Sequence, residues 1–446
     1  MSAALDALQH RGIRSAIMEC SAGAVGHVRL PIVGLGQEHD QPMRRGPWTI
    51  GFVGELLDFK DCKPDFECDA ELVADTWEAS GPFGFTQHDG FWGIVAIHEG
   101  MRVLHVLTDY LGQKPMYYRI DTPAAASEPD ALKAFGPVTL DQTYLSACIK
   151  WGYCPDVMRT PYNEIKHALP GEHVILGMSR PFAAIVDPVI PLKWSAAGMQ
   201  DEIEAAVKRR VLSSDVPVAC LVSGGVDSAI VYTLAKRYGR PVPYFVAEKV
   251  DDPEYWNAVK VVNGSVMVGN KPPETAFNLR RCTYDDVAVS EAMAIMQEPI
   301  DLGSLRPQIA LSRAVEERVC LTGDGADELF GGYQRSQRYD SQHTDVFQEL
   351  PAWHLPRLDR VMMAERIEVR SPFLARRVVQ MALSLPHEFR KDKIFLRQLF
   401  QGIQPARIAS APKKALRTSE IEHDRENYSR SLVQEFRERF FYASQQ

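Results

Sequence analysis

An apolar run, Val216 to Val222, passes into Ser223-Gly224-Gly225-Val226-Asp227-Ser228 and then into a helix-like stretch, Ser228 to Tyr238. Few arrangements satisfy that order. A buried strand, a glycine turn and a helix N-terminus gather backbone N–H groups and aim them at an anion, above all a phosphate. Gly224 and Gly225 let the backbone come close where a side chain would collide. Asp227 is out of place beside an anion unless a cation such as Mg²⁺ bridges the two. The GxxxxGK[ST] pattern is absent, so γ-phosphate transfer by a P-loop is not indicated. Taken alone, the hexapeptide also fits a plain turn in any α/β domain.

A second apolar run, Arg318 to Thr322, ends the same way, in Gly323-Asp324-Gly325-Ala326-Asp327-Glu328-Leu329-Phe330-Gly331-Gly332-Tyr333. In a parallel sheet the turns at strand carboxyl ends face one crevice. Asp227 and Asp327 are therefore the expected pair of carboxylates holding Mg²⁺ on a polyphosphate. Asp-Gly pairs also form ordinary turns. Two acidic glycine turns, each after a buried strand, make that the weaker reading.

The remainder of the chain frames these turns. From about Trp48 to Tyr118 short β runs (Trp48–Phe59, Phe91–His98, Arg102–Thr108, Met116–Ile120) alternate with Gly, Pro and Asp, as in an antiparallel layered domain. Asp121 to Pro137 reads as a surface excursion, and Pro181 to Trp194 as a linker. From Met199 onward helical periodicities alternate with apolar strands (Val216–Val222, Val242–Ala247, Arg318–Thr322), which predicts a parallel sheet flanked by helices. Glu422 to Gln446 is charged and reads as a surface helix with a frayed end. A length of 446 residues suits two or three domains, here 1–180 and 195–446. A formal charge of −8 argues against nucleic acid or an anionic membrane as the main partner. No apolar run reaches membrane-spanning length, and no signal pattern opens the chain. The eight cysteines are scattered without a CxxC pair, which favours buried reduced thiols in a cytoplasmic protein over disulfides or zinc.

At this point the chain resembles the asparagine synthetase family, with its β-lactam synthetase and lasso-peptide cyclase relatives. The resemblance rests on the SGGVDS and LTGDGADELFGGY segments, on Leu358-Asp359-Arg360 with Met363-Ala364, and on Glu368 to Leu374. It continues through Lys393 with Leu396-Arg397 and Pro412-Lys413-Lys414. Upstream, His10-Arg11-Gly12, Gly26 to Leu30, Gly112-Gln113-Lys114-Pro115 with Tyr117-Tyr118, and Trp151-Gly152-Tyr153 follow in the family's order. The implied fold is α/β overall. An N-terminal layered α+β remnant of the Ntn-type glutaminase precedes a parallel α/β PP-loop ATP-pyrophosphatase domain with a helical C-terminal part.

The resemblance also implies chemistry. A carboxylate is a poor electrophile, and ATP activates it as an acyl-adenylate with loss of pyrophosphate. Ser223, Gly224, Gly225 and Ser228 would hold pyrophosphate, Asp227 and Asp327 the Mg²⁺, and Val222, Thr322 and Gly323 the nucleotide. An amine then attacks the adenylate, and the family's C-terminal lysine matches Lys413, with Lys414 as its neighbour and competitor. Flanking family residues read Ala411 and Ala415 here. Asp324 occupies a loop position suited to accept the amine's proton, which favours an external amine over β-lactam closure; it also fits a simple turn-shaping role. Gln297-Glu298-Pro299 departs from the family, where the first residue is usually acidic.

The amidotransferase half departs further. Its family uses an N-terminal cysteine, whereas Ser2 follows Met1 here and Cys20 is internal. His10-Arg11-Gly12 comes too soon after Ser2, so the first strand is expected to be missing. The family's Asn-Gly-Glu reads Val53-Gly54-Glu55, and loss of one oxyanion-hole donor costs ~10²–10³ in rate. Arg29, Gly54, Glu55 and Asp69 still match glutamine-binding positions. The expected protein is an ATP- and Mg²⁺-dependent amide-forming ligase with an impaired glutaminase, aspartate and ammonia being the default substrates. Alternatives are a specialised amine ligase or cyclase, or a non-catalytic nucleotide-binding relative. A homodimer and a separate glutaminase are expectations from the resemblance alone.

Overall fold

Antiparallel sheets occupy the first part of the chain and a parallel sheet the second, in a computed structural model that describes residues 1–247, 253–263, 280–283, 289–300, 305–333, 347–402 and 425–438. The N-terminal strands are β1 (Arg14–Cys20), β2 (Gly23–Arg29), β3 (Met43–Arg45), β4 (Trp48–Leu56), β5 (Gly90–His98), β6 (Val103–Thr108), β7 (Tyr117–Arg119), β8 (Ala125–Ala126), β9 (Ile165–His167), β10 (Glu172–Leu176) and β11 (Phe182–Ile185). Six form one sheet in the order β11-β10-β6-β5-β4-β3. Strand β5 is apolar almost throughout because both of its faces are covered. Phe52 and Ile94 join the cluster that contains Val73 and Trp77 of the helix Asp69–Ser80, whereas Val53 and Val95 pack with Val106 and Met116 on the other face.

The C-terminal strands are β12 (Val218–Leu221), β13 (Val242–Ala247), β14 (Arg280–Thr283), β15 (Val319–Leu321) and β16 (Glu368–Arg370), ordered β14-β13-β12-β15-β16 with every neighbouring pair parallel. Helices cover both faces: Val207 and Ile230 bury on one side, Leu311 and Met362 on the other. One apolar cluster runs from the N-terminal sheet into this half without a break, joining Trp92 to Val222 and Phe373.

Three expectations need correction. Asp121 to Pro137 is pinned rather than looped out: the buried guanidinium of Arg119 donates to the carbonyls of Leu132 (3.3 Å), Gly136 (3.0 Å) and Pro137 (2.9 Å). Its proline- and alanine-rich composition carries no periodicity that would reveal this. The stretch Pro181 to Trp194 begins as the edge strand β11, paired to β10, and buries Asp187 against Arg376 at 2.6 Å. The C-terminal helix Arg425–Phe436 buries Leu432, Val433 and Phe436 in the cluster that holds Tyr144 and Leu145, so it is a core element with a charged outer face. The seven expected strands agree with the observed ones to within two or three residues, and the hairpin β1–β2 together with β3, β8, β9, β10, β11, β14 and β16 are additions to them. Of the cysteines, five are buried, Cys20 is half-buried and Cys62 is exposed; the side chain of Cys282 lies outside the described residues.

Candidate active site

Strands β12 and β15 lie side by side with Val218 opposite Val319 and Cys220 opposite Leu321. Both therefore end at one edge of the sheet, about 4.8 Å apart, and the two glycine turns leave together. In the first turn, Gly224 has φ +77°, a conformation costly for any residue with a side chain. A Cβ there would also stand 2.7 Å from Asn257 Cβ. The turn is closed by its own serines. The Ser223 amide donates to Ser228 Oγ (3.1 Å), Ser228 Oγ donates to the Gly225 carbonyl (3.2 Å), and the two hydroxyls are 3.0 Å apart. Val226–Ala235 then forms the helix whose first turn carries Asp227.

The second turn reaches across to the first. At Gly323 a Cβ would meet Asp227 Cβ at 2.9 Å and the Ser228 amide nitrogen at 3.2 Å, so a glycine is what allows the contact. Thr322 is held by the Arg370 carbonyl (3.1 Å) and by Ser371 Oγ (3.0 Å) at the end of β16. Asp324 is half-buried in this turn, and its side chain makes no hydrogen bond or ion pair among the described residues. Asp227 and Asp327 converge on one positive charge, the ammonium of Lys393, which contacts Asp227 Oδ2 and lies 2.5 Å from Asp327 Oδ1. The expected carboxylate pair is thus brought together.

Lys393 is the residue whose role sequence reasoning missed. It is buried, and burial alone would discharge it, but Asp227 and Asp327 more than offset that and hold its pKa above the ordinary lysine value. Lys393 and its neighbour Asp392 both adopt the left-handed conformation (φ +57° and +54°), which strains non-glycine residues. Gly332 makes room for the group, since a Cβ there would stand 2.2 Å from Lys393 Cε. No periodicity marks such a lysine; only the Lys393, Leu396, Arg397 spacing of the family points to it. Val222, Ser223, Gly224, Gly225, Ser228, Thr322 and Gly323 all lie at the carboxyl ends of β12 and β15 or in the turns that follow them. Lys413 and Lys414 lie outside the described residues.

A cavity of about 70 Å³ opens between the halves, and Arg29, Gly54, Glu55 and Asp69 all line it. Neither Ser2 nor Cys20 does. Its cysteine is Cys68, whose thiol is pushed well above its ordinary pKa by burial and by Asp69. Arg29 spends its donors on the chain around it, on the carbonyls of Val33 (2.9 Å) and Gly36 (2.8 Å) and on Asp40 (2.9 Å). Gly54 (φ +118°) is required by the fold, because a Cβ would lie 2.0 Å from the Phe91 carbonyl oxygen. Burial raises Glu55 well above the usual carboxylate range and Asp69 to about 6.

The remaining motif residues form a buried polar seam between the halves. Arg11 bridges Glu128 (2.7 Å) and Asp359 (2.8 Å), and Lys114 reaches the other oxygen of Asp359 at 2.9 Å. Arg360 binds Glu298 (3.0 Å) and Tyr117 (2.5 Å), and Tyr144 completes Glu298 at 2.8 Å. Gln297, the departure noted in the sequence, donates from Nε2 to Glu128 Oε2 at 3.3 Å. An acidic residue at that place would set two carboxylates against each other in a buried site.

Residues 198–351 and 338–439 match the asparagine synthase family, and residues 1–180 match the glutamine amidotransferase domain family. The chain is 25% identical over 306 residues to "Asparagine synthetase [glutamine-hydrolyzing]" of Bos taurus, a match spanning 57% of this chain and 53% of that relative. It is 23% identical over 454 residues to "Asparagine synthetase B [glutamine-hydrolyzing]" of Escherichia coli (strain K12), covering 91% of this chain and 76% of the relative. A solved structure, "glutamine phosphoribosylpyrophosphate (PRPP) amidotransferase from B. subtilis complexed with ADP and GMP", aligns over 77% of this chain and 75% of its own, but at 15% identity and a TM-score of 0.32 it carries no argument. The ordered motifs, the paired acidic turns on adjacent parallel strands and these matches agree: the chain belongs to the asparagine synthetase family of ATP-dependent amide-forming ligases, with a glutamine amidotransferase-type domain ahead of the synthetase part.

Proposed function

We propose that this protein activates a carboxylic acid, by default aspartate, with ATP and passes the acyl group to ammonia or another small amine, releasing AMP and pyrophosphate. The observation that carries it is the meeting of Asp227 and Asp327 on Lys393 at the carboxyl ends of β12 and β15. Two hard carboxylate oxygens from facing turns fit a Mg²⁺ ion, and the ammonium between them marks where positive charge is favoured. Mg²⁺ held by Asp227 and Asp327 would neutralise charge on the leaving pyrophosphate.

The chain's own groups supply the rest. The substrate carboxylate attacks the α-phosphorus, and the bond to pyrophosphate breaks. Ser223, Gly224, Gly225 and Ser228, at the N-terminus of Val226–Ala235, would hold that pyrophosphate with backbone and hydroxyl donors. Val222, Thr322 and Gly323 would contact the nucleotide. The amine adds to the acyl carbon, and Asp324, whose carboxylate is not engaged elsewhere among the described residues, would accept the proton it loses. Lys413 would stabilise the oxyanion until AMP departs.

Glutaminase activity is proposed to be lost or strongly impaired. Val53 lines the cavity where the family places an asparagine donor, and the cavity's cysteine is a thiol rather than a thiolate at neutral pH. On this reading residues 1–180 act as a cover for a synthetase unit of residues 195–446, in a cytoplasmic protein. A homodimer and a separate ammonia source belong to the same proposal.

The test is pyrophosphate and AMP release from ATP and Mg²⁺ across a panel of amino acids, with ammonium or glutamine as nitrogen source. Release with aspartate and ammonium, absent with glutamine and abolished in Asp227→Ala, is expected. Release with a different acid only would overturn the aspartate assignment. No release with any acid, or a fully active Asp227→Ala enzyme, would overturn the ligase.

A further inference from the structure

A third cluster of reactive side chains belongs neither to the acidic turns nor to the lining of the cavity, and the function just described uses none of it. Asp58 directly precedes the short helix Phe59–Cys62, Cys62 ends that helix, and His88 follows the 3₁₀ stretch Gly81–Gln87. The i, i+4 spacing puts Asp58 and Cys62 on one side of the turn. His88 Nδ1 lies 3.2 Å from each Asp58 oxygen and 4.0 Å from Cys62 Sγ, which is itself 3.9 Å from Asp58 Oδ2.

These distances decide between two uses of a Cys-His-Asp set. In a nucleophilic triad the acid and the thiol engage opposite nitrogens of the imidazole. Here both face the same nitrogen, Nδ1, so no proton relay can pass through the ring. Three different donor atoms instead converge on one point. With zinc bond lengths of about 2.0–2.3 Å, tetrahedral ligation requires N···O separations of about 3.3 Å and separations to sulfur of about 3.6 Å. The observed 3.2 Å and 3.9–4.0 Å come within a few tenths of an ångström of that.

Asp58 supplies an independent sign. It stands at the N-cap of Phe59–Cys62, the position where an aspartate usually accepts from its own helix, yet its side chain makes no capping bond. It turns to His88 instead. We propose that Asp58, Cys62 and His88 form a zinc site, with the fourth position open to water on the exposed side of Cys62. The sulfur, imidazole and carboxylate donor set suits zinc rather than the hard Mg²⁺. Binding exchanges the thiol proton of Cys62 for the metal, and the proton goes to solvent.

The position suggests what the metal does. His88 offers its carbonyl to Arg376 Nε at 3.2 Å, and the next residue, Asp89, accepts from Arg209 at 2.7 Å. The Asp89 carbonyl in turn accepts from the Leu57 amide at 2.8 Å, so the ligands on both segments flank the contact between the two halves. Zinc would tie together the segment that docks the amidotransferase-type half on the synthetase half.

The test uses the full chain, stripped with a chelator and titrated with Co²⁺ and then Zn²⁺. The wild type is expected to bind one ion per chain with a sulfur-to-cobalt charge-transfer band, and zinc should raise its melting temperature. Cys62→Ser, an exposed substitution that leaves packing intact, should abolish the band, and His88→Ala should lose stoichiometric zinc and the thermal shift. His39→Ala, in the looser cluster of Glu38, His39 and Glu67, should change nothing. An unchanged band in Cys62→Ser, zinc bound equally by His88→Ala, or a wild type that takes up no zinc, overturns the site.

Discussion

Gly323 approaches Asp227 so closely that a Cβ on the glycine would stand 2.9 Å from the Cβ of the aspartate. This close approach brings the two acidic turns together, and Lys393 bridges their carboxylates, Asp227 and Asp327. The obstacle to a side chain is backbone as well as side chain, since the Ser228 amide is 3.2 Å away. Gly323→Ala is therefore expected to spread the turns by a few tenths of an ångström. Misplacement on the scale of an ångström in a catalytic site costs about 10²-fold, so pyrophosphate release should fall by about ten- to a hundredfold. Circular dichroism should show little change in melting temperature, and unchanged turnover would sink the idea that this contact sets the site.

Lys393 stands between two carboxylates that would otherwise repel each other. Lys393→Met keeps most of the stem and removes the charge, with an expected loss of the order of 3 kcal/mol in stability, as for breaking a buried ion pair. If Asp227 and Asp327 form a Mg²⁺ site, added Mg²⁺ should restore the melting temperature of the variant by more than it raises that of the wild type. Equal responses in the two proteins would argue against the metal assignment.

Gln297 should not tolerate the acidic residue usual in its family. Its amide faces Glu128, which is already bound to Arg11 and His10. Gln297→Glu is expected to cost about 1–3 kcal/mol in urea unfolding by leaving carboxylates unpaired against each other. Gln297→Met loses only one hydrogen bond and should cost less. The reverse order would show that Glu128 does not govern this position.

Two buried aspartates predict opposite pH trends. The folded-state pKa of Asp69 is raised to about 6, first by burial, against an unfolded value of about 3.9. Its stabilising contribution is present below pH 4 and is lost as the pH rises to about 6. Asp359 is depressed to about 2, because Arg11 and Lys114 outweigh its burial. Its contribution is present above pH 4 and is lost as the pH falls toward 2. Asp69→Asn, which keeps an acceptor for the Leu56 amide, should flatten the stability curve between pH 4 and 6. The gain at pH 8 should be at most about 3 kcal/mol. A curve of unchanged slope would refute the assigned shift.

Much of the molecule was legible from local pattern. Short apolar runs ending in glycine announced β12 and β15, because a parallel strand is buried on both faces and cannot alternate. The two acidic turns were legible as partners, since neighbouring parallel strands place their ends at one edge. The seam was harder to see. Arg11, Lys114, Asp359 and Arg360 stood out only as members of family motifs, and nothing in their spacing says that Asp359 pairs with Lys114 across 245 positions and with Arg11 across 348. The segment from Asp121 to Pro137 misled for the same reason, because the arginine that anchors it is a single residue on β7.

Residue order alone thus determined the strand–turn–helix units and the acidic character of their turns, both of which are set by neighbours within a few positions. Tertiary structure alone decided that Lys393 lies between Asp227 and Asp327, that Gln297 faces Glu128, and that Asp58, Cys62 and His88 meet at one point. Those relations depend on which distant segments pack together, and the chain carries no periodic signal for contacts that form only once a common core has closed around them.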